Sequence, residues 1–265
     1  MKKIILLIII ATFFGCCNED ENTTSVNNFI DKYNVFYMMY PQGILSNSGT
    51  DNNVKIEYDS YNRISKRIGD LRPIDQATGY NFIFTNEFYD QLTYTSNEIF
   101  IEKKSSNAAV IVAKFERKLI LDSQNRIVKK INFHELGFPA TDTTYYTYDS
   151  NGRLKESKNS VFHQVETANF YYNQANNLDS IVTKKVHYEN PLYKIVEHFS
   201  EYDNAENPLK NLIIFEETFY RALSKNNFKR YDRKEYNSAD ELTGTSFRTW
   251  TLQYDSNGKV KFDQF

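Results

Sequence analysis

Tyr148-Asp149-Ser150-Asn151-Gly152-Arg153-Leu154 returns almost unchanged as Tyr254-Asp255-Ser256-Asn257-Gly258-Lys259-Val260. Looser copies start at Tyr58, Leu121, Tyr172 and Tyr236, and a copy one residue longer runs from Tyr202 to Leu209. The Asp or Asn in second place can accept backbone N–H bonds from the residues ahead and so opens a turn. In most copies a Gly or Asn follows three residues later and supplies a position that tolerates positive φ. A type I turn followed by a left-handed residue closes a short β-hairpin. The phrase therefore predicts hairpins and carries no chemistry of its own.

The flanks agree. Thr143 to Tyr148 is a β-branched and aromatic run suited to a pleated, half-buried surface. Beyond the turns, Ile64 and Ile68, Ile127 and Ile131, and Leu178 and Val182 recur four apart, which fits one strand face. Successive phrases lie about 18 to 36 residues apart, room for a hairpin with two strands of about ten residues. The expected fold is all-β: an antiparallel up-and-down meander curled into a barrel-like or half-barrel sheet, with the phrase turns along one rim. Asn211 is placed to cap a single covering α-helix near 211-225, in which Leu212, Phe215, Phe219 and Leu223 share a face and Glu217 pairs with Arg221. Its expected task is to cover an open edge or mouth of the sheet. Phe29, Tyr33, Phe36 and Tyr40 sit at helical spacing before Pro41 and predict a short helix in a lead-in over 29–53. Residues 54–265 read as one β domain.

Composition bounds the function. The 265 residues include 20 Tyr and 20 Phe, enough aromatic area to build a core. The 32 basic and 34 acidic residues nearly balance at −2, which leaves no clustered basic footprint and argues against nucleic acid. Lys103-Lys104, Lys129-Lys130 and Lys184-Lys185 read as solvated strand positions. The two cysteines, Cys16 and Cys17, are adjacent, so neither a disulfide framework nor a thiolate metal site is available.

The N-terminus reads as a lipoprotein signal over residues 1–15. Met1-Lys2-Lys3 is a positive n-region, and Ile4 to Phe14 is an apolar h-region too short to span a bilayer comfortably. Phe13-Phe14-Gly15-Cys16 resembles a bacterial lipobox, with Cys16 as the lipidated residue, although Phe13 departs from the usual leucine. Removing residues 1–15 would take away Lys2 and Lys3 and leave a charge of about −4. Each acyl CH₂ buried in the membrane contributes about 0.8 kcal/mol to anchoring. Asn18-Glu19-Asp20-Glu21 resembles the surface-export signal of Bacteroidota lipoproteins, and residues 16–28 as a whole read as lipidated cysteine plus acidic, polar tether.

The repeated phrase resembles the YD repeats of the RHS family. Together with the lipobox and Tyr202-Asp203-Asn204-Ala205-Glu206-Asn207-Pro208, it is more similar to uncharacterised Bacteroidota lipoproteins of porin-like β fold, the DUF4595 type. The resemblance spans most of 54–265. It implies shape and compartment: an outer-membrane protein held by its N-terminal acyl chains and facing the cell surface. It carries over no catalytic residue. Porin-like does not imply a pore, since charge falls on both faces of stretches such as Arg126 to Lys130 and Lys194 to Glu201.

Sites of chemistry are sparse. No pair among His134, His163, His187 and His198 has the spacing that puts two ligands on one helical face. His187 and His198 are placed to meet across neighbouring strands near Glu189 or Glu197, where a site would have imidazole and carboxylate alone, but surface or cross-strand roles explain them better. No G-x-S-x-G elbow and no Gly-rich phosphate loop occurs. The turn carboxylates Asp59, Asp122, Asp149, Asp203 and Asp255 lack the ligand series of a calcium loop. Tyr145, Tyr146, Tyr148, Tyr171, Tyr172 and Trp250 suit either a sugar-stacking platform or core packing, and core packing fits better. The expectation is a tethered, non-catalytic binding or structural protein, without cofactor, catalytic residue or metal, whose partner is a glycan or an envelope protein. Two rivals remain: a carrier of apolar ligand, which needs a continuous apolar lumen, and a glycan-acting enzyme, which needs two inward carboxylates between aromatic walls.

Overall fold

The structure, a computed structural model, describes residues 29–38, 51–110, 112, 115–134 and 140–263. The signal segment, Cys16 and the tether lie outside the described residues. The sheet begins with β1 (Lys32–Asn34), β2 (Asn53–Tyr58), β3 (Ile64–Pro73), β4 (Phe82–Tyr94), β5 (Glu98–Ser105), β6 (Phe115–Leu121) and β7 (Ile127–His134). It continues with β8 (Thr141–Tyr148), β9 (Leu154–Val161), β10 (Gln164–Tyr172), β11 (Leu178–His187), β12 (Asn190–Ser200), β13 (Arg230–Tyr236) and β14 (Leu242–Thr249). These 14 strands pair antiparallel in unbroken chain order, the all-β meander the turns predicted. A separate hairpin joins β15 (Gln253–Tyr254) to β16 (Val260–Lys261), and among the described residues two one-turn helices occur, α1 (Val35–Met38) and α2 (Phe219–Ala222).

The turns are one device repeated. In the copy at Asp149, Gly152 N–H donates to the Asp149 carbonyl and Asp149 N–H to the Arg153 carbonyl. Asp149 Oδ1 accepts from the Asn151 and Arg153 N–H groups, and Oδ2 from Arg153 Nε at 2.8 Å. Asp59 and Asp122 repeat every one of these bonds, and Asn173 repeats those to Oδ1. The left-handed place is filled by Asn62, Asn125, Gly152 and Asn176 at φ of 59°, 59°, 77° and 62°. Neighbouring turns are then stitched together. The Arg63 and Arg126 guanidinium groups stand 4.4 Å over the rings of Tyr94 and Tyr148, on the next hairpin along. Those tyrosines donate back to the carbonyls of Ile64 and Ile127. Burial pushes the Tyr94 and Tyr148 phenols up to about 12. Each link combines a cation–π contact of about 1 kcal/mol with a hydrogen bond of similar net worth.

Strand alternation sorts the copies between two rims. Those at Tyr58, Leu121, Tyr148, Tyr172 and Tyr202 share one rim. The copy at Tyr236 joins β13 to β14 and so falls on the opposite rim, and the copy at Tyr254 closes the separate β15–β16 hairpin. A single rim for all of them was therefore too simple.

The strand faces also differ from the four-apart expectation. After every such turn in the sheet the register slips by one residue. Tyr58 faces Ile64 but Glu57 faces Lys66, and Leu121 faces Ile127 but Ile120 faces Lys129. Tyr148 and Tyr172 repeat the slip against Leu154 and Leu178. One residue is left unpaired, and the strand beyond it exchanges faces. Ile68, Ile131 and Val182 therefore lie on the face opposite Ile64, Ile127 and Leu178. The inward positions are the third and fifth beyond the turn aliphatic: Arg67 and Gly69, Lys130 and Asn132, Ser157 and Asn159, Ile181 and Thr183.

The covering segment is the β12–β13 connection, residues 201–229. Leu209, Leu212, Phe215 and Phe228 are fully buried there. It is not the single helix expected near 211-225: a 3₁₀ turn (Lys210–Leu212) and α2 are separated by irregular backbone. Side chains take the carbonyls that a continuous helix would use. Thr218 Oγ1 donates to Leu212 O at 2.6 Å, and Asn207 Nδ2 donates to Arg221 O and Ser224 O. Such local bonds compete with the helical ladder. Glu217 and Arg221 do not pair with each other. In the lead-in, Tyr33 lies in β1 and only Val35–Met38 is helical, while Tyr40 lies outside the described residues. A helix there would cost β1 its pairing with β2.

The sheet curls until its ends meet, although β1 and β14 do not pair. Trp250 Nε1 and Arg248 Nη2, past and at the end of β14, donate to the Tyr37 and Phe36 carbonyls. Asn34 N–H donates to Phe262 O at 2.6 Å, which lays the C-terminal hairpin along β1. Beneath this seam Arg221 is 2% exposed, with its guanidinium 4.0 Å and 4.5 Å from the Phe228 and Trp250 ring centres.

Gly152 offers a clean test of the turn. A Cβ there would meet nothing closer than Arg126 Nη1 at 3.7 Å, so only its backbone resists substitution. Gly152→Ala is expected to cost about 1 kcal/mol in urea denaturation. Asn125→Gly, at the same place in a sister turn, is expected to cost nothing.

Candidate functional site

The interior has two zones. Next to the phrase rim it is apolar, with Ile64, Ile127, Leu154, Leu178 and Phe199 buried. Further along the strands the buried side chains include Arg67, Asp90, Arg117, Asn132, Thr183 and Glu197, interspersed with aliphatics such as Ile101 and Ile181. A carrier of apolar ligand would need a continuous apolar lining, and this body does not have one.

Part of the polar zone fastens the cover. Glu217, from the cover, accepts from Arg67 Nε at 2.6 Å and from Tyr33 OH at 2.6 Å. Arg67 Nη1 lies 3.9 Å from Asp90, which accepts from Arg117 Nη2 at 2.9 Å. Strands β1, β3, β4 and β6 are thus tied to the cover through one alternating chain of charge. Burial pushes the Glu217 carboxyl up, but the Arg67 charge and the Tyr33 bond outweigh it and hold it below the ordinary glutamate range. Burial carries the Tyr33 phenol well above its usual value.

Between the cover and β7 to β11 lies a cleft of about 320 Å³. Its floor is polar. Asn132 Nδ2 and Asn159 Nδ2 donate to Asp142 Oδ1 at 2.9 and 3.3 Å, and Asn159 also reaches Thr144 Oγ1. Tyr193 OH donates to Glu166 Oε2 at 2.6 Å. Lys130 Nζ donates to Glu216 Oε1 of the cover at 3.0 Å. Burial opposes the charge of Lys130, but Tyr146 and Glu216 outweigh burial and raise its pKa. The walls are aromatic: Tyr146 and Phe170 from the sheet, Phe219 and Tyr220 from the cover. The Phe219 ring lies 6.2 Å from that of Tyr146 and 6.4 Å from that of Phe170. Asn132 is 8% exposed, and its Oδ1 accepts no hydrogen bond among the described residues.

The residues singled out in the sequence fall mostly elsewhere. In register His187 faces Asn190, and His198 faces Ser180 with Asp179 at 3.5 Å, so the two histidines do not meet. His163 stacks on Tyr188, their ring centres 4.5 Å apart, and His134 ends β7. Among the described residues no three His, Cys, Asp or Glu side chains gather around a metal position. The turn aspartates Asp59, Asp122 and Asp149 are consumed by their own turns. Tyr145 and Tyr171 point outward, Tyr148 and Tyr172 pack on the core, and Trp250 covers Arg221, so the six aromatics form no common platform. Only Tyr146 reaches the cleft. Lys103 and Lys130 are not solvated strand positions: Lys103 pairs with Asp70, and Lys130 lines the cleft. The sequence reading missed Lys130, Asn132, Asp142, Asn159 and Glu166. For Lys130, Asn132 and Asn159 the usable signal was the register slip, which points the third and fifth residues after each turn aliphatic inward.

No family model matches the chain, and no curated protein matches it. Among solved structures it is similar to a porin-like protein from Bacteroides uniformis, with a TM-score of 0.48 and 10% identity over 78% of this chain and 80% of that one. It is also similar to a porin-like protein from Bacteroides vulgatus, with a TM-score of 0.49 and 10% identity over 82% of this chain and 87% of that one.

The charge chain should show in stability. Glu217→Gln alone is expected to cost about 3 kcal/mol, because buried Arg67 then keeps only the more distant Asp90, which Arg117 already holds, and Arg67→Met with Glu217→Leu to recover most of that loss. Because the Glu217 pKa is depressed, its contribution is complete above the ordinary glutamate value and fades as pH falls through the lower folded value. Glu197 has the opposite sign. Burial raises its pKa despite the Tyr231 OH bond at 2.7 Å and the charge of Arg233. Its carboxylate therefore costs stability above the ordinary glutamate value. Glu197→Gln is expected to raise the melting temperature at pH 7 and to leave it unchanged at pH 4.

Proposed function

We propose that this protein is a lipid-anchored lipoprotein of the outer membrane, facing the cell surface, whose rolled sheet presents a binding cleft without catalysing a reaction. The observation that carries the reading is the cleft. It is concave, walled by aromatic rings, and floored by side chains that hold one another as donors and acceptors. Ligand sites commonly join an apolar wall to a few placed polar groups, within volumes of roughly 300–1,000 Å³.

The compartment is supported by the basic n-region, the apolar run ending in Gly15-Cys16, and the acidic stretch behind it. The outer face of the sheet favours a tethered body over a membrane-spanning barrel. It carries charge paired with charge and lysine laid on tyrosine. Lys118 pairs with Glu98, Lys104 with Glu102, and Lys129 stands 5.3 Å over Tyr145. A lipid-facing band would have to be apolar there. The kinship with DUF4595-type lipoproteins belongs to this proposal and rests on the lipobox, the repeated turn and the Tyr202 to Pro208 segment.

Both carboxyl groups that the sheet places in the cleft, Asp142 and Glu166, act as acceptors for neighbouring side chains, an arrangement that fixes acceptors for a ligand. The rival enzyme reading would instead require that Asp142→Asn with Glu166→Gln abolish turnover of a glycan. The anchor is tested by metabolic palmitate labelling. Cys16→Ser is expected to abolish incorporation and release the protein from the membrane fraction; label retained in the variant would refute the anchor. Protease shaving of intact cells is expected to degrade the wild type, and protection until lysis would place it facing inward.

A further inference from the structure

We infer that the cleft takes a neutral, hydroxyl-rich ligand: a short oligosaccharide presenting one or two sugar rings. This rests on reading the cleft as a binding site and adds the chemical class of its occupant. Three observations converge.

The first is the unmet acceptor. Asn132 Oδ1 is buried in the floor and accepts nothing among the described residues. A buried polar atom left this way costs about 1–3 kcal/mol. Once the amide turns toward the cleft, a ligand hydroxyl would relieve that cost, and a hydrocarbon would not. The second is the mixture of groups. Donors and acceptors alternate over a short distance, from Asn132 through Asp142 and Asn159 to Thr144. A hydroxyl both donates and accepts, so it suits such a floor better than a group with only one capacity. The third is the wall. Phe219 stands between Tyr146 and Phe170, tilted 46° to the first and edge-on at 73° to the second, which gives an aromatic corner whose ring faces can meet the C–H face of a sugar ring.

Charge narrows the class. The cleft carries Asp142, Glu166 and Glu216 against Lys130, whose amine is already held by Glu216. That balance repels phosphates, nucleotides and uronic acids. Its volume of about 320 Å³ is at the small end for a ligand site and suits a terminal unit of a longer chain.

The test uses the full-length protein in detergent and isothermal titration with maltotriose, cellotriose and N,N′-diacetylchitobiose, alongside spermidine and myristate. At least one saccharide is expected to bind with a dissociation constant in the micromolar to millimolar range. Asn159→Ala and Thr183→Val are each expected to weaken it by about tenfold, the worth of one good hydrogen bond. Lys158→Ala, on the opposite face of β9, is expected to leave it unchanged, and circular dichroism melts establish that each variant folds. Saccharide binding untouched by the cleft variants would overturn the inference, as would silence from every saccharide. Capture of spermidine or myristate in place of sugars would overturn the ligand class and leave the anchored-binder reading standing, since palmitate labelling judges that separately.

Discussion

One unpaired residue after each Asx turn decides what this protein puts inside itself. Strands expose alternate residues to alternate faces, so a single extra residue exchanges the faces of everything beyond it. The turn aliphatic goes inward and seals the rim. The residues after it would otherwise send Ile68, Ile131 and Val182 inward and complete an oily core. The slip sends them outward and brings in Arg67, Lys130, Asn132, Asn159 and Thr183. A fat-filled barrel and a body with a polar cleft thus differ by one residue per hairpin. The Asx turn enforces the choice because its own hydrogen bonds leave no freedom to absorb the extra residue elsewhere.

A polar interior has to be paired or filled, since a charge removed from water without a partner is costly. Two solutions coexist. On the side of β1, β3, β4 and β6 the charges neutralise one another and seize the cover through Glu217. On the side of β7 to β11 Lys130 pairs with Glu216 of the cover while Asp142 and Glu166 are held by amides and a phenol, and the aromatic rings of the cover lean over them without filling the space. The cover is therefore held by buried charge along one flank and by Lys130 and the rim bonds of Ser224 and Asn226 along the other, arching over the cleft between them. Its lack of a continuous helix follows from the same demand. Glu217 has to reach Arg67 while Phe219 faces Phe170, and Arg221 has to enter the aromatic seam beneath Trp250. One regular helix of that length would not serve three directions so different.

The meander was legible because the turn chemistry is local. An Asp or Asn, a left-handed residue three places later and a β-branched flank suffice to predict a hairpin. Repetition then predicts a chain-ordered sheet. The covering segment was legible as an apolar stretch bounded by Pro208 and Asn226, but not as broken backbone, because the breaking bonds come from Thr218 and Asn207 reaching back six residues and forward fourteen. The cleft was the least legible. Its residues come from five strands, and the face each occupies depends on counting through a bulge that periodicity alone does not reveal. Lys130 looked like half of a solvated pair because its neighbour Lys129 is one.

On the rim opposite the cover, the β9–β10 and β11–β12 turns show what this sheet tolerates when no Asx phrase is present. Two-residue turns at Phe162-His163 and Tyr188-Glu189 hold all four residues at positive φ, between 47° and 70°. Asn-Gly would suit such turns, whereas each bulky residue there costs about 1–2 kcal/mol. Part of that cost is offset across the two hairpins. The His163 and Tyr188 rings stack 4.5 Å apart, and Tyr188 N–H donates to the His163 carbonyl. The phrase rim is locked by unstrained turns stitched one to the next. The far rim carries strained backbone to hold an aromatic cluster in water, with Phe162 and Tyr188 51% and 61% exposed. Glu201, at φ 57°, is a bulky left-handed residue on the phrase rim, so backbone strain falls on both rims, with four such residues gathered at the far one around exposed rings.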